Sequence, residues 1–417
     1  MERTSVTLAV VGAGNRGISY GRAAVASGRG RIVAVAEPDP VRRAAFAAEF
    51  GVPPAAVFDD WTELVGAGRL ADAAIIATLD RLHVGPAVAL LGQGWHVLLE
   101  KPMAPNEHDA RRIADAATAA GTIFAVCHVL RYTPYTRALK RLLGDGRVGR
   151  VVSVQHLEPV GWWHQAHAFV RGNWRREDES GPMLLTKSCH DIDWLMDVVG
   201  QPVRRVSSFG GLSHLRPEQR PEGAADRCLD CAVEPECPYS AVRLYLGCLD
   251  DPEKRFWPLS TITHDLTEDG VRTALREGPY GRCVYACDND VVDHQVVNLE
   301  FADGATAAFT MTAFARMAPR QTRIFGTHGS IEGDGVRLRL TDFRDGSVEV
   351  VDTATGHDGS AASGHGGGDA GLMADFLAAV AAGDPSLVGS NAAESLAGHL
   401  VVWAAERARR SGSVVTV

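Results

Sequence analysis

The chain has 417 residues, of which 46% are hydrophobic and 22% are charged. These proportions are ordinary for a folded globular protein and exclude a disordered chain, and the length predicts two or three domains. A formal net charge of -9 at pH 7 gives no long-range attraction to phosphate backbones or anionic lipid, so neither nucleic acid nor a membrane is an expected partner.

The first ten residues run straight into a strand pattern and lack the charged, apolar and small-residue regions of a signal peptide. Elsewhere, glycine, histidine or charged residues interrupt each apolar run before it reaches the ~18 residues that a membrane span needs. We therefore expect a cytoplasmic protein without a membrane anchor.

The first 125 residues alternate strand and helix patterns. Continuous apolar runs at Val6–Val11, Ile32–Ala36, Ala73–Ala77 and His96–Leu99 are typical of parallel strands that are buried on both faces. Helical segments separate these runs. The alternation predicts an α/β fold whose first domain, residues 1–126, is a doubly wound Rossmann domain.

The first of these strands is followed by the sequence GAGNRG, which has the glycine spacing of a dinucleotide-binding loop. Gly12 would allow the tight turn, Gly14 would let the backbone approach a pyrophosphate, and Gly17 would let the helix pack closely on the strand. Because the loop lies between a predicted strand and a predicted helix, we favour cofactor binding over an ordinary glycine turn.

Glu37 ends the second strand, twenty residues beyond Gly17. A carboxylate at this position accepts hydrogen bonds from a ribose 2′-hydroxyl and repels a 2′-phosphate, so the sequence predicts NAD rather than NADP. Arg42 and Arg43 could accommodate a phosphate, but we interpret them as solvated helix charges.

Glu100–Pro102, with the sequence EKP, stands at the end of another strand. Together with GAGNRG, Arg131–Tyr132 and a histidine-bearing helix at His190, this tripeptide is where the chain resembles the glucose-fructose oxidoreductase, inositol dehydrogenase and MocA family, nearly end to end. The resemblance implies a second α/β domain over residues 127–417. Its open, mainly antiparallel sheet often serves for oligomerisation, so a homo-oligomer, either dimer or tetramer, is expected.

The resemblance also implies that Lys101 lies at the nicotinamide and touches the reacting hydroxyl. A lysine at the carboxyl end of a parallel strand is well placed to lower the pKa of a hydroxyl, which agrees with this role. The competing interpretation is a surface lysine paired with Glu100. The expected cofactor contacts are Gly12, Gly14, Asn15, Arg16, Gly17, Glu37, Thr78, His83, Glu100 and Lys101.

The segment GPMLLTKSCHDIDWLMDVVG departs from the family pattern. Members usually carry Asp-x-x-x-His here, with the two groups one helical turn apart for proton transfer and substrate binding. His190 matches the histidine, but Thr186 occupies the aspartate position and Lys187 follows it. We expect His190 to be the general base, Lys187 to assist catalysis at the substrate and Asp193 to hold the imidazole. A core or capping histidine is the alternative for His190.

The segment GWWHQAHAFVRGNW follows a predicted strand at Val151–Leu157 and is dense in aromatic and polar groups. Such groups are typical of a sugar site, where rings stack on the sugar and donors bind its hydroxyls. Helical periodicity is poor, which predicts a loop, and Trp162 and Trp163 could equally form an aromatic minicore beneath it. The expected substrate contacts are Arg131, Tyr132, His167, Arg171, Trp174, Thr186, Lys187 and Asp191.

Six of the eight cysteines fall within one stretch of the second half, and the absence of an export signal favours thiols or metal ligands over disulfides. Cys228, Cys231 and Cys237 have the spacing C-x-x-C-x5-C, which favours a zinc site. Cys283 is our first choice for the fourth ligand, with Cys287 or Cys248 as alternatives.

Four thiolate ligands would make the zinc structural rather than catalytic, and the ion would pin a long insertion at about residues 212–288. The same cysteines could hold an iron-sulfur cluster or remain free thiols. Sequence spacing does not separate these three states.

After the insertion, alternating residues predict antiparallel strands around a turn at Asp303-Gly304. The glycine-rich segment Gly359–Gly371 is either a flexible connection or a loop that closes over the site. Helices predicted at Leu372–Val380 and Ala392–Arg410 are expected to return to the first domain.

The resemblance implies an NAD-dependent oxidoreductase that oxidises a secondary hydroxyl of a sugar, polyol or glycoside by hydride transfer. One alternative is a redox-neutral glycoside hydrolase, in which the substrate is transiently oxidised, undergoes elimination and is reduced again. A second alternative is a non-catalytic NAD-binding sensor or scaffold. The presence of Lys101 and His190 argues against a sensor or scaffold, whereas the replacement of the usual aspartate by Thr186 keeps that alternative open.

Overall fold

The computed structural model describes residues 5–354 and 365–417. Contacts within the chain divide it into two compact units. Unit 1 consists of Met1–Arg137, Ile192–Trp194 and Gly364–Leu400, and unit 2 consists of Ala138–Asp191, Leu195–Ser363 and Val401–Val417. The glycine-rich segment of the sequence analysis lies outside the described residues up to position 364.

Unit 1 contains a six-stranded parallel sheet within the described residues. The strands are β1 (Val6–Val11), β2 (Gly30–Ala36), β3 (Val57–Phe58), β4 (Ala73–Ile76), β5 (His96–Leu99) and β6 (Phe124–Val126). Their spatial order is β3-β2-β1-β4-β5-β6, the order of a dinucleotide-binding doubly wound sheet. The predicted Rossmann fold is therefore confirmed.

Helices connect these strands, and one from near the end of the chain completes the core of unit 1. Phe376 and Leu377 of that helix are buried in the same apolar cluster as Val6 and Leu8 of β1. The helices of the unit include Asn15–Ala26, Pro40–Phe50, Trp61–Gly66, Val84–Gly92, Glu107–Ala120 and Gly368–Ala382. The helix Pro134–Gly144 begins in this unit and ends in unit 2.

Unit 2 contains a nine-stranded sheet within the described residues, ordered β14-β13-β12-β11-β7-β10-β9-β8-β15. Its neighbours pair antiparallel except for β7 and β10, which run parallel, and β9 and β10 form the hairpin predicted around Asp303-Gly304. The mainly antiparallel second sheet is thus confirmed. The strands are β7 (Val151–Pro159), β8 (Val203–Gly211), β9 (His294–Phe301), β10 (Thr306–Thr312), β11 (Gln321–Gly326), β12 (Gly329–Gly333), β13 (Arg337–Asp342), β14 (Val348–Asp352) and β15 (Val415–Thr416).

The segment after β7 is helical rather than the predicted loop. Trp162–His164 forms one helical turn, and Gln165–Arg171 continues it as a π-helix. A π-helix closes its hydrogen bonds between residues five apart, so a search for the 3.6-residue period fails on it. The prediction of a loop was wrong for this reason.

The remaining helices range in length from four residues, at Glu177–Ser180, to twenty, at Ala392–Ser411. The segment around His190 forms two helices, Met183–Thr186 and Cys189–Val199, instead of one. The others are Glu177–Ser180, Ala241–Leu246, Pro252–Phe256, Glu268–Glu277 and Ala392–Ser411. Over the described ranges, none of the helices is both long and apolar enough to cross a membrane.

Candidate functional site

The loop between β1 and the helix Asn15–Ala26 has the geometry expected of its glycines. Gly12 has φ +96°, and a Cβ there would lie 2.6 Å from the carbonyl oxygen of Ala77. A Cβ at Gly17 would lie 2.1 Å from the carbonyl oxygen of Gly12. A Cβ at Gly14 would have no neighbour within 4 Å, which leaves open space at the helix N-terminus where a pyrophosphate binds.

Glu37 is buried at the end of β2, close to this loop. Its two carboxylate oxygens accept hydrogen bonds from the backbone N–H of Ala13 at 2.7 Å and of Asp39 at 2.9 Å. Arg43 donates to the Glu37 carbonyl oxygen at 2.6 Å and pairs with Asp59 at 2.9 Å. Because Arg43 already has these partners, it is not a free cation awaiting a 2′-phosphate.

Arg16, an expected cofactor contact, lies at the centre of a charged network. Its Nε donates to Glu100 at 2.6 Å, and its two terminal nitrogens donate to the carboxylate of Asp369 at 2.9 and 2.8 Å. The guanidinium also lies 4.4 Å from the centre of the Tyr20 ring. Burial by itself would lower the pKa of Arg16, but the neighbouring carboxylates raise it well above its usual value. The network holds the loop on the carboxyl end of β5.

Lys101 follows β5 directly and is partly exposed, and its backbone N–H donates to Glu100 Oε2 at 2.7 Å. The buried side chain of His83 contacts the loop that follows β5. One ring nitrogen lies 2.8 Å from the carbonyl oxygen of Pro102, and the other lies 3.2 Å from that of Thr78. The structure therefore makes His83 a buried bridge between the loops after β4 and β5, a role distinct from the expected cofactor contact.

A second buried histidine, which sequence reasoning missed, holds the loop after Lys101. Met103 donates its backbone N–H to His399 Nε2 at 3.0 Å, and His399 Nδ1 donates to the carbonyl oxygen of Ser395 at 2.7 Å. Burial, aided by the nearby His128, lowers the pKa of His399 to about 3. His399 is thus a neutral bridge whose only sequence signal is a histidine among apolar helix residues.

Arg131 and Tyr132 are also held by unit 1. Arg131 forms a bidentate ion pair with Asp193, in which Nε and Nη2 each lie 2.7 Å from one carboxylate oxygen. Arg131 also pairs with Glu394. The Tyr132 hydroxyl lies 2.7 Å from Ser390 Oγ, and its side chain is buried. Asp193, expected to hold His190, is committed to Arg131 here. Neither Arg131 nor Tyr132 presents an uncommitted polar group to a substrate.

Unit 2 contains a buried charge cluster at the carboxyl end of β7. Lys187 Nζ lies 3.0 Å from Glu158 Oε1, and Arg320 Nε lies 2.7 Å from Glu158 Oε2 and 2.9 Å from Asp191 Oδ1. His156 Nε2 lies 3.2 Å from the same Asp191 oxygen. Two cations thus face two carboxylates, which makes the cluster close to neutral.

The pKa values follow from this arrangement. Burial lowers the pKa of Lys187, and Glu158 opposes that shift. Burial alone would raise the pKa of Asp191, but Arg320 and His156 lower it below its usual range. Asp191 is therefore an ionised, fully buried group that orients Arg320, whereas Lys187 remains 17% exposed and can still reach a ligand.

Thr186 and His190 lie on different helices, separated by Lys187 and Ser188. Thr186 is buried, and its hydroxyl donates to the carbonyl oxygen of Pro182 at 3.4 Å. His190 is mostly buried. The helix is therefore interrupted between the two positions.

His167 and Arg171, both expected substrate contacts, are held by residues of the cysteine-rich insertion. His167 Nδ1 lies 2.7 Å from the Tyr245 hydroxyl, and its ring stacks on Tyr280 with centres 5.1 Å apart. Arg171 is buried and donates to backbone carbonyls of the cysteine-rich insertion. Trp174 stacks on Phe169 at 5.7 Å. His167 and Arg171 join the segment to the insertion, because residues far along the chain cover them.

The four cysteines chosen as zinc ligands line one cavity. Cys228, Cys231, Cys237 and Cys283 surround a space of about 20 Å³, together with Arg171. The eight cysteines, all within the described ranges, form no disulfide. Within the same ranges, no group of three or more His, Cys, Asp or Glu side chains is arranged to hold a metal ion. The thiols therefore share a cavity without converging on one point.

The two alternative ligands lie elsewhere. Cys248 donates its thiol to the carbonyl oxygen of Leu244 at 3.1 Å, and Cys287 donates to that of Cys283 at 3.3 Å. Neither lines the cavity. Among the candidates for a fourth ligand, the structure therefore brings only Cys283 to the other three.

Glu158 and Arg320 are the other site residues that sequence reasoning missed. A signal for Glu158 existed, since His156 and Glu158 are two residues apart and so face the same, buried side of β7. Polar residues on a buried strand face need partners. Arg320 offers no comparable signal, because it precedes β11 in an irregular stretch.

Two family models match the chain. One, described as an oxidoreductase family with an NAD-binding Rossmann fold, matches residues 6–128, and its companion for the C-terminal alpha/beta domain matches residues 140–417. The chain belongs to this oxidoreductase family, GFO_IDH_MocA. The family resemblance of the sequence is thereby confirmed.

Two curated relatives and one solved structure show the range of similarity. The chain is 32% identical over 172 residues to the 1,5-anhydro-D-fructose reductase of Ensifer adhaerens, covering 41% of this chain and 49% of that enzyme. It is 27% identical over 150 residues to the 2,7-anhydro-N-acetylneuraminate hydratase of Escherichia coli, covering 36% and 39%. It thus spans about half, or less, of these relatives.

A structure of levoglucosan dehydrogenase with NADH and levoglucosan aligns over 99% of both chains, with a TM-score of 0.72 and 21% identity. At this level of identity, the likeness shows the fold.

Proposed function

We propose that this protein oxidises a secondary hydroxyl of a sugar, polyol or glycoside with NAD. The observation that carries the proposal is the position of Lys101 in unit 1. It follows β5, and the glycine loop follows β1 of the same parallel sheet. The carboxyl ends of parallel strands share one edge, where such sheets bind ligands.

The residues around the glycine loop fit NAD. Gly14 leaves open space at a helix N-terminus, and Glu37 is positioned near the turn with Arg43 committed to Asp59. When bound there, NAD supplies a hydride acceptor for the carbinol carbon. Lys101 would stabilise the developing alkoxide by its positive charge, and His190 would accept the hydroxyl proton.

An uncharged substrate suits the cluster in unit 2. Lys187 and Arg320 are each paired with buried carboxylates, so they offer hydrogen-bond donors without a net positive charge. Donors of that kind bind sugar hydroxyls. The name of one relative agrees with this class, since 1,5-anhydro-D-fructose is an uncharged sugar.

A redox-neutral reaction is the second candidate. Similarity to a hydratase and the replacement of the usual aspartate by Thr186 favour it. In this reaction the substrate would be transiently oxidised, lose a leaving group by elimination and be reduced again. A non-catalytic NAD sensor is disfavoured, because a sensor would need neither Lys101 nor His190.

The test is a panel of sugars, polyols and glycosides incubated with NAD, followed by NADH absorbance and product mass. A dehydrogenase produces stoichiometric NADH, whereas a redox-neutral enzyme accumulates product with little NADH. Lys101→Met should lower kcat at least about 10²-fold while NAD still binds, because the lysine acts on the alkoxide. Lys254→Met, an exposed lysine of unit 2, is the matched control. Normal turnover by both Lys101→Met and His190→Ala would favour the sensor.

We also propose a cytoplasmic homo-oligomer, a dimer or a tetramer. Phe209 on β8 and Val296 on β9 lie opposite each other and are exposed at 61% and 38%. Exposed apolar side chains that adjoin on an open sheet face support self-association. Light scattering on the full chain would give the assembly mass.

Finally, we propose a structural Zn²⁺ on Cys228, Cys231, Cys237 and Cys283. The support is their shared cavity and the strong preference of zinc for thiolate ligands in this spacing. Loading would require side-chain rotations that bring the four sulfurs around one point.

A further inference from the structure

Arg171 is a buried cation inside the cysteine-rich insertion. Its side chain is 1% exposed. Its Nε donates to the carbonyl oxygen of Arg282 at 2.7 Å, and its Nη2 donates to that of Tyr239 at 2.8 Å. A buried guanidinium is costly unless an anion balances its charge.

The carbonyls do not balance that charge. Among the described residues, the partners of Arg171 are those two carbonyls and the Cys228 sulfur, and none is a carboxylate. Its Nη1 atom is also buried, and it has no hydrogen-bond partner among the described residues. Glu234, a carboxylate that also lines the cavity, accepts a hydrogen bond from Ser240 instead. Arg171 thus has both an uncompensated charge and an unused donor.

The thiols are the nearest groups that can become anions. Arg171 Nη2 lies 3.5 Å from Cys228 Sγ, and Arg171 lines the same cavity as all four proposed zinc ligands. The cavity volume of about 20 Å³ is of the size that holds one water molecule or one ion.

We infer that Arg171 is the counter-charge of a tetrathiolate zinc centre. This inference rests on the proposed zinc site and deepens it. Four thiolates around one Zn²⁺ carry a net charge of about -2, and the guanidinium offsets part of that charge while its unused donor gains a sulfur acceptor. Zinc binding releases the four thiol protons to solvent.

The same contact joins the metal to the segment after β7. Arg171 is the last residue of the π-helix Gln165–Arg171, and His167 of that helix bonds the Tyr245 hydroxyl of the insertion. Zinc loading would therefore fix the segment 165–171 as well as the insertion itself.

The experiment measures zinc content by elemental analysis and zinc affinity by competition with a chromophoric chelator, both on the full chain. Wild type should contain about one zinc per chain. Arg171→Gln should bind zinc at least about tenfold more weakly, whereas Arg276→Gln, an exposed arginine of the same insertion, should match wild type. A wild-type chain that cannot be loaded with zinc overturns the zinc site. A loaded wild type with unchanged affinity in Arg171→Gln overturns only the role of Arg171.

A second measurement separates charge compensation from simple packing. The rise in Tm on zinc loading should be smaller in Arg171→Gln than in wild type, whereas a purely structural arginine would lower both Tm values equally. If Arg171→Gln does not fold, Arg171→Lys retains the charge and should keep more than about half of that rise. Complete loss of the rise in Arg171→Lys would overturn the inference.

Discussion

The glycine loop of unit 1 and the π-helical segment 165–171 of unit 2 both follow a strand, yet they meet opposite surroundings. A side chain at Gly14 would enter open space. His167 and Arg171 are instead enclosed by the insertion. The glycine loop therefore has space for a ligand beside it, whereas residues of the insertion occupy the space beside the segment 165–171. Richness in polar and aromatic groups therefore does not identify a ligand site unless space remains beside them.

The largest effect is expected at Gly17. Gly17→Ala would place a Cβ 2.1 Å from the Gly12 carbonyl oxygen, so the loop must shift away from the geometry that a pyrophosphate needs. We expect a loss of about 1–3 kcal/mol in the free energy of unfolding and a fall in NAD affinity of more than about 10²-fold. Urea unfolding and calorimetry measure the two quantities.

Two glycines serve as controls for this prediction. Gly92→Ala, at the end of the helix Val84–Gly92 and with no neighbour within 4 Å, should be neutral or slightly stabilising. Gly14→Ala should weaken NAD binding with little change in stability. If Gly17→Ala binds NAD as tightly as wild type, the glycine loop does not depend on its open geometry, and the comparison with the segment 165–171 fails.

An intermediate effect is expected at Glu37. Because its carboxylate lies beside the turn and Arg43 is paired with Asp59, NAD should bind at least about tenfold more tightly than NADP, or about 1.4 kcal/mol. Glu37→Ser should narrow this difference. Calorimetry with both cofactors checks it, and equal affinities in wild type would contradict the assignment.

The smallest effect near neutral pH is a pH dependence of stability, to which one buried histidine in each unit contributes. Burial, aided by Arg171, lowers the pKa of His167 to about 3, and burial, aided by His128, lowers the pKa of His399 to about 3. The unfolded chain protonates each histidine below about pH 6.5, whereas the folded chain does so only near pH 3. Stability is therefore complete above pH 6.5 and falls as the pH drops.

Each of these histidines should contribute a slope of about 1.4 kcal/mol per pH unit near pH 5. His399→Gln and His167→Phe should each reduce the measured slope by that amount, whatever they do to stability at pH 7.5. His108→Gln, which changes an exposed histidine, should leave the slope unchanged. Urea unfolding at several pH values gives the slopes, and identical slopes in all variants would contradict the prediction.

The parts of the molecule that the sequence predicted well depend on local geometry. Val6–Val11 and His96–Leu99 form strands with the predicted bounds, because buried parallel strands need continuous apolar runs. Gly12 and Gly17 are constrained by backbone atoms of their own loop and the adjacent strand. A residue pattern of a few positions is enough to define such contacts.

The parts that the sequence did not predict depend on partners far along the chain. His167 is covered by Tyr245 and Tyr280, and Asp193 is paired with Arg131. No spacing rule connects positions so far apart. The cysteines were easier to group, because Cys228, Cys231 and Cys237 are close in sequence, and the structure places them with Cys283 around one cavity.

The core of unit 1 is built from both ends of the chain, since Phe376 and Leu377 are buried with Val6 and Leu8. During translation, the first 137 residues leave the ribosome well before residue 380 is made. At ~5–20 residues per second, this interval lasts roughly 12 to 50 seconds. Throughout it the parallel sheet lacks one of its covering helices, and its apolar face remains open to chaperones. The nucleotide-binding half is therefore synthesised well before the helix that closes its core.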